Sequence, residues 1–438
     1  MKKIIIIKTV FLLSVIFLFN SCKKDYGNLN NATVEDFLKN ASPGDLNNLV
    51  SGTEAGMRNV IDLYLDDVGT IGREGYHFLT SEPRYVLDLL GASNGTLSSS
   101  NFYITNPWAA RYRVIKNCNT LIQAATNSTL ITDGQKKGYL GFAKTVKAYQ
   151  LLLNLNLTDS NGIRIDVDNP DNLGPFVDNT EALTAIISLL DLAKTDLSTA
   201  SVAFPIAGFT GSGTERFDDA AGLTKFNRAL AARVAVYQQS WTGALSALNE
   251  SFFGLNKDFN LGVYHVFGTG SGDQLNPMFI PQNQTGETRV AHPSYATDIA
   301  AGDDRINKAT LRASPASLNG LTSNRDVWVY TSVTAPMPVI RNEELILVYA
   351  EANIQTNNLA EGVKALNIIR KGHQLTDYSG AMTKAALIDE MLNQRRFSLF
   401  FEGHRWIDMR RYGRLNQLPL DRAGDDVWTE FPLPVTEQ

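Results

Sequence analysis

The 438-residue sequence predicts a mainly α protein: a scaffold of tetratricopeptide-like helical hairpins, an α-α superhelix, carrying long loop-rich insertions and a few short strands. Three observations lead there. Long segments with three- and four-residue apolar spacing and good helix formers dominate, whereas strand-like alternation is short, as in "DVWVYTSV". Stretches rich in Gly, Asn, Ser and Pro separate these segments. Two segments, "YQQSWTGALSALN" (Tyr237 to Asn249) and "QTNNLAEGVKALN" (Gln355 to Asn367), share a helix end, a short turn, a small residue at the same offset (Ala244, Gly362) and a closing "ALN". Small-residue-rich helices precede both, and such pairs bury their apolar faces only by stacking on neighbours.

Residues 1–21 read as a signal peptide. "MKKIIIIK" supplies the basic start, and "TVFLLSVIFLF" is too short for the roughly 20 residues of a membrane-spanning helix. Small Ser21 directly before Cys22 matches a bacterial lipoprotein cleavage site, so lipidation is expected at Cys22, with several acyl chains anchoring the domain more firmly than one can. The mature chain, 22–438, is read as a single domain. Its helical pairs fall at about 33–65, 107–157, 181–250 and 341–411. The loop-rich insertions fall at about 66–106 and 251–340, with a shorter one at 158–180.

Acids exceed bases by 5, and loss of Lys2, Lys3 and Lys8 with the leader leaves 37 bases against 45 acids. Nucleic acid rewards clustered Lys and Arg, so it is excluded as a partner. Cys118, the one cysteine besides Cys22, sits in helical "YRVIKNCNTLI" and is expected as a small buried side chain. The five histidines show no metal spacing, the glycine-rich pieces fit no phosphate or dinucleotide loop, and the acidic run "DVDNPDN" reads as a solvated turn. Neither a metal nor a cofactor is expected.

The densest charge pattern is "FFEGHRWIDMRRYG" (Phe400 to Gly413). Aromatic and aliphatic residues point in nearly every direction on its helical wheel, so its charges must be paired inside the protein. Arg405, three residues from both Glu402 and Asp408, is the expected partner of both, with Arg395, Arg396, Arg410 and Arg411 answering other acids or helix ends.

The longer segment "QRRFSLFFEGHRWIDMRRYG", together with "PVIRNEELILVYAEAN", "ALNIIRKG", "GDDR" and "FPLPVTE", resembles the SusD/RagB family of Bacteroidetes outer-membrane lipoproteins. "NPWAARYRVIKNCNTLI", "GFAKTVKAYQLLLNL" and "TKFNRALAARVAVYQQSWTGAL" extend the likeness upstream; the chain closes soon after "PLPVTE", where many members run on. The resemblance implies a helical scaffold of four tetratricopeptide-like pairs. It also implies a non-catalytic, surface-exposed receptor in the cell outer membrane that captures oligosaccharide or another nutrient and passes it to a SusC-like TonB-dependent transporter.

No family motif assigns the ligand contacts, so these are expected on physical grounds. Sugar rings stack on exposed aromatics and bond to nearby polar side chains, most often from loops. Arg73, Tyr76, His77, Asn101 and Tyr103 in the first insertion, and Phe279 (beside Asn276 and Gln282) and Trp328 on a short strand in the second, are the candidates. Trp108, Trp241 and Trp406 are assigned to the core. Two other functions are weighed: an envelope glycoside hydrolase, for which Asp66, Asp67, Glu74 and Glu82 are the loop acids, and a peptide-binding repeat scaffold.

Overall fold

The computed structural model describes residues 38–91, 96–209 and 215–437. Cys22, the leader 1–21 and positions 33–37 of the first expected helical block lie outside the described residues. The chain opens with helices α1 (Pro43–Arg58) and α2 (Ile61–Ile71), strand β1 (Gly75–Leu79) and the single turn α3 (Arg84–Leu87). Two long helices follow, α4 (Phe102–Asn127) and α5 (Asp133–Thr158), then the short strands β2 (Ile163–Arg164) and β3 (Phe176–Val177). Next come α6 (Asn179–Leu197), α7 (Ala220–Tyr237), α8 (Trp241–Asn249), β4 (Gly262–His265), β5 (Glu287–Ala291) and α9 (Pro293–Asp298). The last part holds β6 (Ala309–Leu318), β7 (Leu321–Val327), β8 (Met337–Arg341), α10 (Asn342–Gln355), α11 (Leu359–Gly372), α12 (Lys384–Ser398) and α13 (Arg405–Arg411).

The helices start where their capping chemistry permits. Ser42 accepts from the Asp45 amide while Asp45 answers the Ser42 amide, and Thr132 and Gln135 repeat the arrangement at α5. Asp178, Asp219 and Thr383 cap α6, α7 and α12. Neighbours in sequence then become neighbours in space: α4, α5, α6 and α7 pack in succession, α8 joins α7 to α10, and α11 and α12 close on α10. This is the expected helical scaffold.

The two similar segments form the same turn. Gln239 and Asn357 both adopt left-handed backbone, with φ of 56° and 63°. Ser240 N–H donates to Ala235 O at 2.8 Å, and Asn358 N–H donates to Asn353 O at 2.8 Å. The small residues permit the close approach: Ala244 is fully buried, and a Cβ added at Gly362 would stand 2.5 Å from Ile354 Cγ1. Gly362→Val is therefore expected to destabilise the protein by roughly 1–3 kcal/mol through overpacking, read as a lower urea midpoint.

The insertions converge on a four-stranded antiparallel sheet in the order β1-β5-β7-β6. Asn319 and Gly320 (φ 50° and 82°) make the β6–β7 turn, the left-handed pair that a tight hairpin requires. Further along, Leu311 faces Arg325 and Ala316 faces Ser323, so residues 312–315 stand against Asn324 alone. That bulge throws β6 outward and opens space over the sheet. Trp328, expected on a strand, falls just past the end of β7, where its N–H donates to Lys308 O at 2.7 Å.

The core assignments hold for Trp108 and Trp406, both buried. Trp241 differs: it is only half-buried at the scaffold edge, because it begins α8 instead of lying inside a helix. Cys118 is fully buried, and burial pushes its thiol up to about 12. No helix among the described residues is long and apolar enough to cross a membrane.

Candidate functional site

Five of the expected contact residues are drawn into packing. Arg73 is buried and donates to three carbonyls: Ile71 O (3.1 Å), Pro419 O (3.0 Å) and Asp426 O (2.7 Å). Tyr76, 1% exposed, stacks on Phe78 at 5.5 Å inside a small cluster with Val86, Leu90, Val290 and Leu321. His77 points from the other side of β1, with Nδ1 2.9 Å from Asp66 and Nε2 3.0 Å from Glu287. Burial alone would lower the His77 pKa, but Asp66 outweighs it and the pKa rises. Tyr103, 0% exposed, donates its hydroxyl to Asp88 at 3.0 Å. Half-buried Asn101 donates to both Asp88 (3.1 Å) and the Tyr103 oxygen (3.0 Å) and accepts from Arg84 (2.9 Å). The structure thus brings Asn101 and Tyr103 together, but as a structural knot; alternation along β1 and the N-terminal turn of α4 aim these side chains inward.

The second insertion keeps both of its expected contact aromatics only part-buried. Phe279 and Trp328 are both half-buried, with ring centroids 6.0 Å apart and planes tilted by 52°, a bent aromatic surface. Asn276 shapes the loop beneath Phe279 by donating to Ala335 O (2.7 Å) and accepting from Met278 N–H (2.8 Å). Gln282 reaches β6, its amide donating to Thr310 Oγ1 at 2.7 Å.

Beyond Gln282 the loop runs into the space opened by the β6 bulge. There a cavity of about 360 Å³ is lined by Phe78, Thr80, Asn283, Gln284, Thr288, Arg312 and Ser317, among others. Buried Asp326 organises it, accepting from Asn283 N–H (2.7 Å), Thr288 Oγ1 (3.3 Å) and the Arg312 guanidinium. Arg312 also donates to Gln284 O (2.9 Å) and Ser314 O (3.1 Å), which ties the bulge to the loop. One loop joins the aromatic pair to this hollow of hydroxyl and amide groups: Asn283, four residues after Phe279, lines it and is bonded to Asp326, two residues before Trp328. Sequence reading named Phe279, Trp328 and Gln282 but missed Asn283, Gln284 and Arg312; the available signal was "SLNGLTS", whose Asn-Gly turn marks the hairpin.

Of the acids weighed for hydrolysis, Asp66 and Glu82 are paired with arginines, and Asp67 and Glu74 are buried. Asp66 accepts from Arg289 at 2.7 and 2.8 Å and is held below the ordinary carboxylate range by Arg289 and His77 despite its burial. Burial pushes Asp67 well up, reinforced by Asp66 and Asp62, and pushes Glu74 up to about 8. Glu82 pairs with Arg84. None of the four lines the sheet cavity.

The charge-rich C-terminal segment is internal, with one correction. Glu402 pairs with Arg341 (2.7 Å), and Asp408 pairs with Arg395 (2.6 Å) and Arg411 (2.9 Å), whereas Arg405 bonds to neither acid. Glu402 precedes α13 in a turn with Gly403 at φ 85°, so it does not share Arg405's helix, and Asp408 is taken by Arg395 from α12 and by Arg411 three residues on. Glu402 borders only an enclosed cavity of about 20 Å³, room for a single water, beside His265 and His404. Burial holds both of these histidines neutral, at about 3. Asp303, Asp304 and His373 gather ligand-type atoms within 4.8 Å. Protein groups already take them: Arg305 binds Asp303, and His373 bridges Asp304 (2.8 Å) and Glu343 (2.6 Å).

Comparison with known proteins now bears on this geometry. Residues 308–429, running from the base of β6 through α13, match the model of the SusD family. The fold is SusD-like. Surface glycan-binding protein A from Bacteroides thetaiotaomicron superposes on this SusD-like chain with a TM-score of 0.70 at 13% identity, covering 92% of this chain and 97% of that one. The same protein in complex with laminarihexaose gives 0.69 at 14% identity, covering 90% and 97%. A SusD superfamily protein from Parabacteroides distasonis gives 0.66 at 17% identity, covering 93% and 97%. No curated protein matches the sequence.

Proposed function

We propose that this SusD-like protein is a non-catalytic glycan receptor. The observation that carries the reading is the half-buried Phe279–Trp328 pair adjoining a hollow of about 360 Å³ rimmed by amides and hydroxyls. Aromatic faces stack on the C–H faces of sugar rings while the polar rim answers their hydroxyls. The likeness to a solved surface glycan-binding protein supports the same reading. In it, the mature chain 22–438 is one unit anchored through lipid at Cys22 in the outer membrane, and it delivers captured oligosaccharide to a SusC-like TonB-dependent transporter.

Titration calorimetry against a panel of oligosaccharides tests this. Trp328→Ala and Phe279→Ala are each expected to weaken binding about tenfold, ~1.4 kcal/mol, with both variants still folded as read by a cooperative thermal melt. Parent-like affinity in both variants overturns the site. Release of reducing ends during incubation overturns the receptor reading in favour of the hydrolase.

A further inference from the structure

A second cavity, of about 230 Å³, lies away from the aromatic surface, between the α2–β1 junction, α9, α12 and α13. Arg73, Ser294, Asp298, Arg396, Arg405 and Gln417 line it. Three guanidinium groups thus border it with one carboxylate. Arg73 is taken up by carbonyls, with Asp421 3.8 Å away. Arg396 donates to Asp298 (2.8 Å) and Ser294 Oγ (2.7 Å) through its two terminal nitrogens, and its Nε makes no hydrogen bond among the described residues. Arg405 has neither a side-chain hydrogen bond nor an ion pair among the described residues, although it is mostly buried. Glu74, Asp408 and Asp298 act on it only from beyond ion-pair distance, and Arg396 repels it. A mostly desolvated cation beside a second cation is costly unless an anion joins them.

We propose that Arg405 and Arg396 form a binding site for a small oxyanion, a carboxylate or a phosphate, seated in this cavity. A planar or tetrahedral oxyanion accepts several bonds at once from the Arg405 fork and the Arg396 Nε, the geometry in which guanidinium groups bind most strongly. Gln417 stands at the same cavity as a further polar partner. The site is independent of the aromatic surface and extends the ligand range to acidic sugars or free phosphate.

Thermal melts in sodium phosphate, sodium glucuronate and glucose, each matched in ionic strength with sodium chloride, test it. Phosphate or glucuronate is expected to raise Tm above the chloride control while glucose does not. A shift with glucuronate only assigns an acidic sugar, and a shift with phosphate only assigns free phosphate. Arg405→Gln is expected to lose the shift. Gln417→Glu, at an exposed position that puts a competing carboxylate at the rim, is expected to lose it without loss of folding. No shift in the parent, or a full shift retained in Gln417→Glu together with any folded Arg405→Gln, overturns the proposal. Oligosaccharide titration of the same variants is expected to match the parent, so failure here and failure of the aromatic site are separately visible.

Discussion

Asp408→Ala is expected to destabilise the protein by about 3–5 kcal/mol, because it strands a charge that cannot reach water. Arg395 is 2% exposed, and Asp408, at 1%, is its only hydrogen-bonded anion among the described residues. Arg411 retains Glu351 at 2.8 Å, so the cost falls on Arg395. A double variant, Arg395→Met with Asp408→Leu, is expected to recover much of the loss, since removing both charges removes the unpaired one. Urea unfolding of the singles and the double decides; a double variant worse than the sum of the singles contradicts this account.

The pair also sets a pH dependence. Burial raises the Asp408 pKa, but Arg395 and Arg411 prevail and hold it at about 2, below its ordinary value of 3.8. A depressed carboxyl contributes stability that is fully present above the unfolded pKa and is lost as pH falls toward 2. Unfolding measured between pH 5 and pH 3 is expected to show that loss in the parent and less of it in Asp408→Asn.

Glu74→Gln is expected to act in the opposite sense, stabilising the protein by roughly 2–5 kcal/mol at pH 8 and above. Glu74 is 3% exposed; it accepts from Phe401 N–H at 3.1 Å, while its second oxygen is buried without a partner. Burial therefore keeps the carboxyl protonated up to about 8, against 4.5 in the unfolded chain. Between those values the folded state holds a proton that the unfolded state releases, so stability falls as pH rises from about 4.5 to 8. Glutamine keeps the neutral shape and removes that slope. Asp67, also raised by burial, leaves a residual slope of the same sign. A parent whose stability is flat from pH 5 to 8 contradicts the assignment.

Much of the fold was legible because helices are local objects. The expected blocks at 107–157 and 341–411 match α4–α5 and α10–α13, since apolar spacing, capping residues and the "ALN" turns act within a few residues. The sheet was less legible. β6 pairs with β7 through a local hairpin, but β1 pairs with β5 across more than two hundred residues, and nothing near "GYHFL" names its partner. That long-range pairing aims Tyr76 inward and lays His77 against Asp66 and Glu287, which turned exposed-looking loop residues into packing. Phe279 and Trp328 kept an open face because their loop and strand end lie at the margin of the sheet.

The amino-acid order by itself determined the helical scaffold, the repeated turns and the internal character of the arginine-rich C-terminal segment, because periodicity and burial of aromatics are written in adjacent residues. Only the tertiary structure decided which acid met which arginine, which aromatics stayed at the surface, and that Arg405 was left with neither a hydrogen bond nor an ion pair from its side chain among the described residues. Those outcomes depend on side chains distant in sequence that the fold brings together, as it brings Arg341 to Glu402 and Arg395 to Asp408.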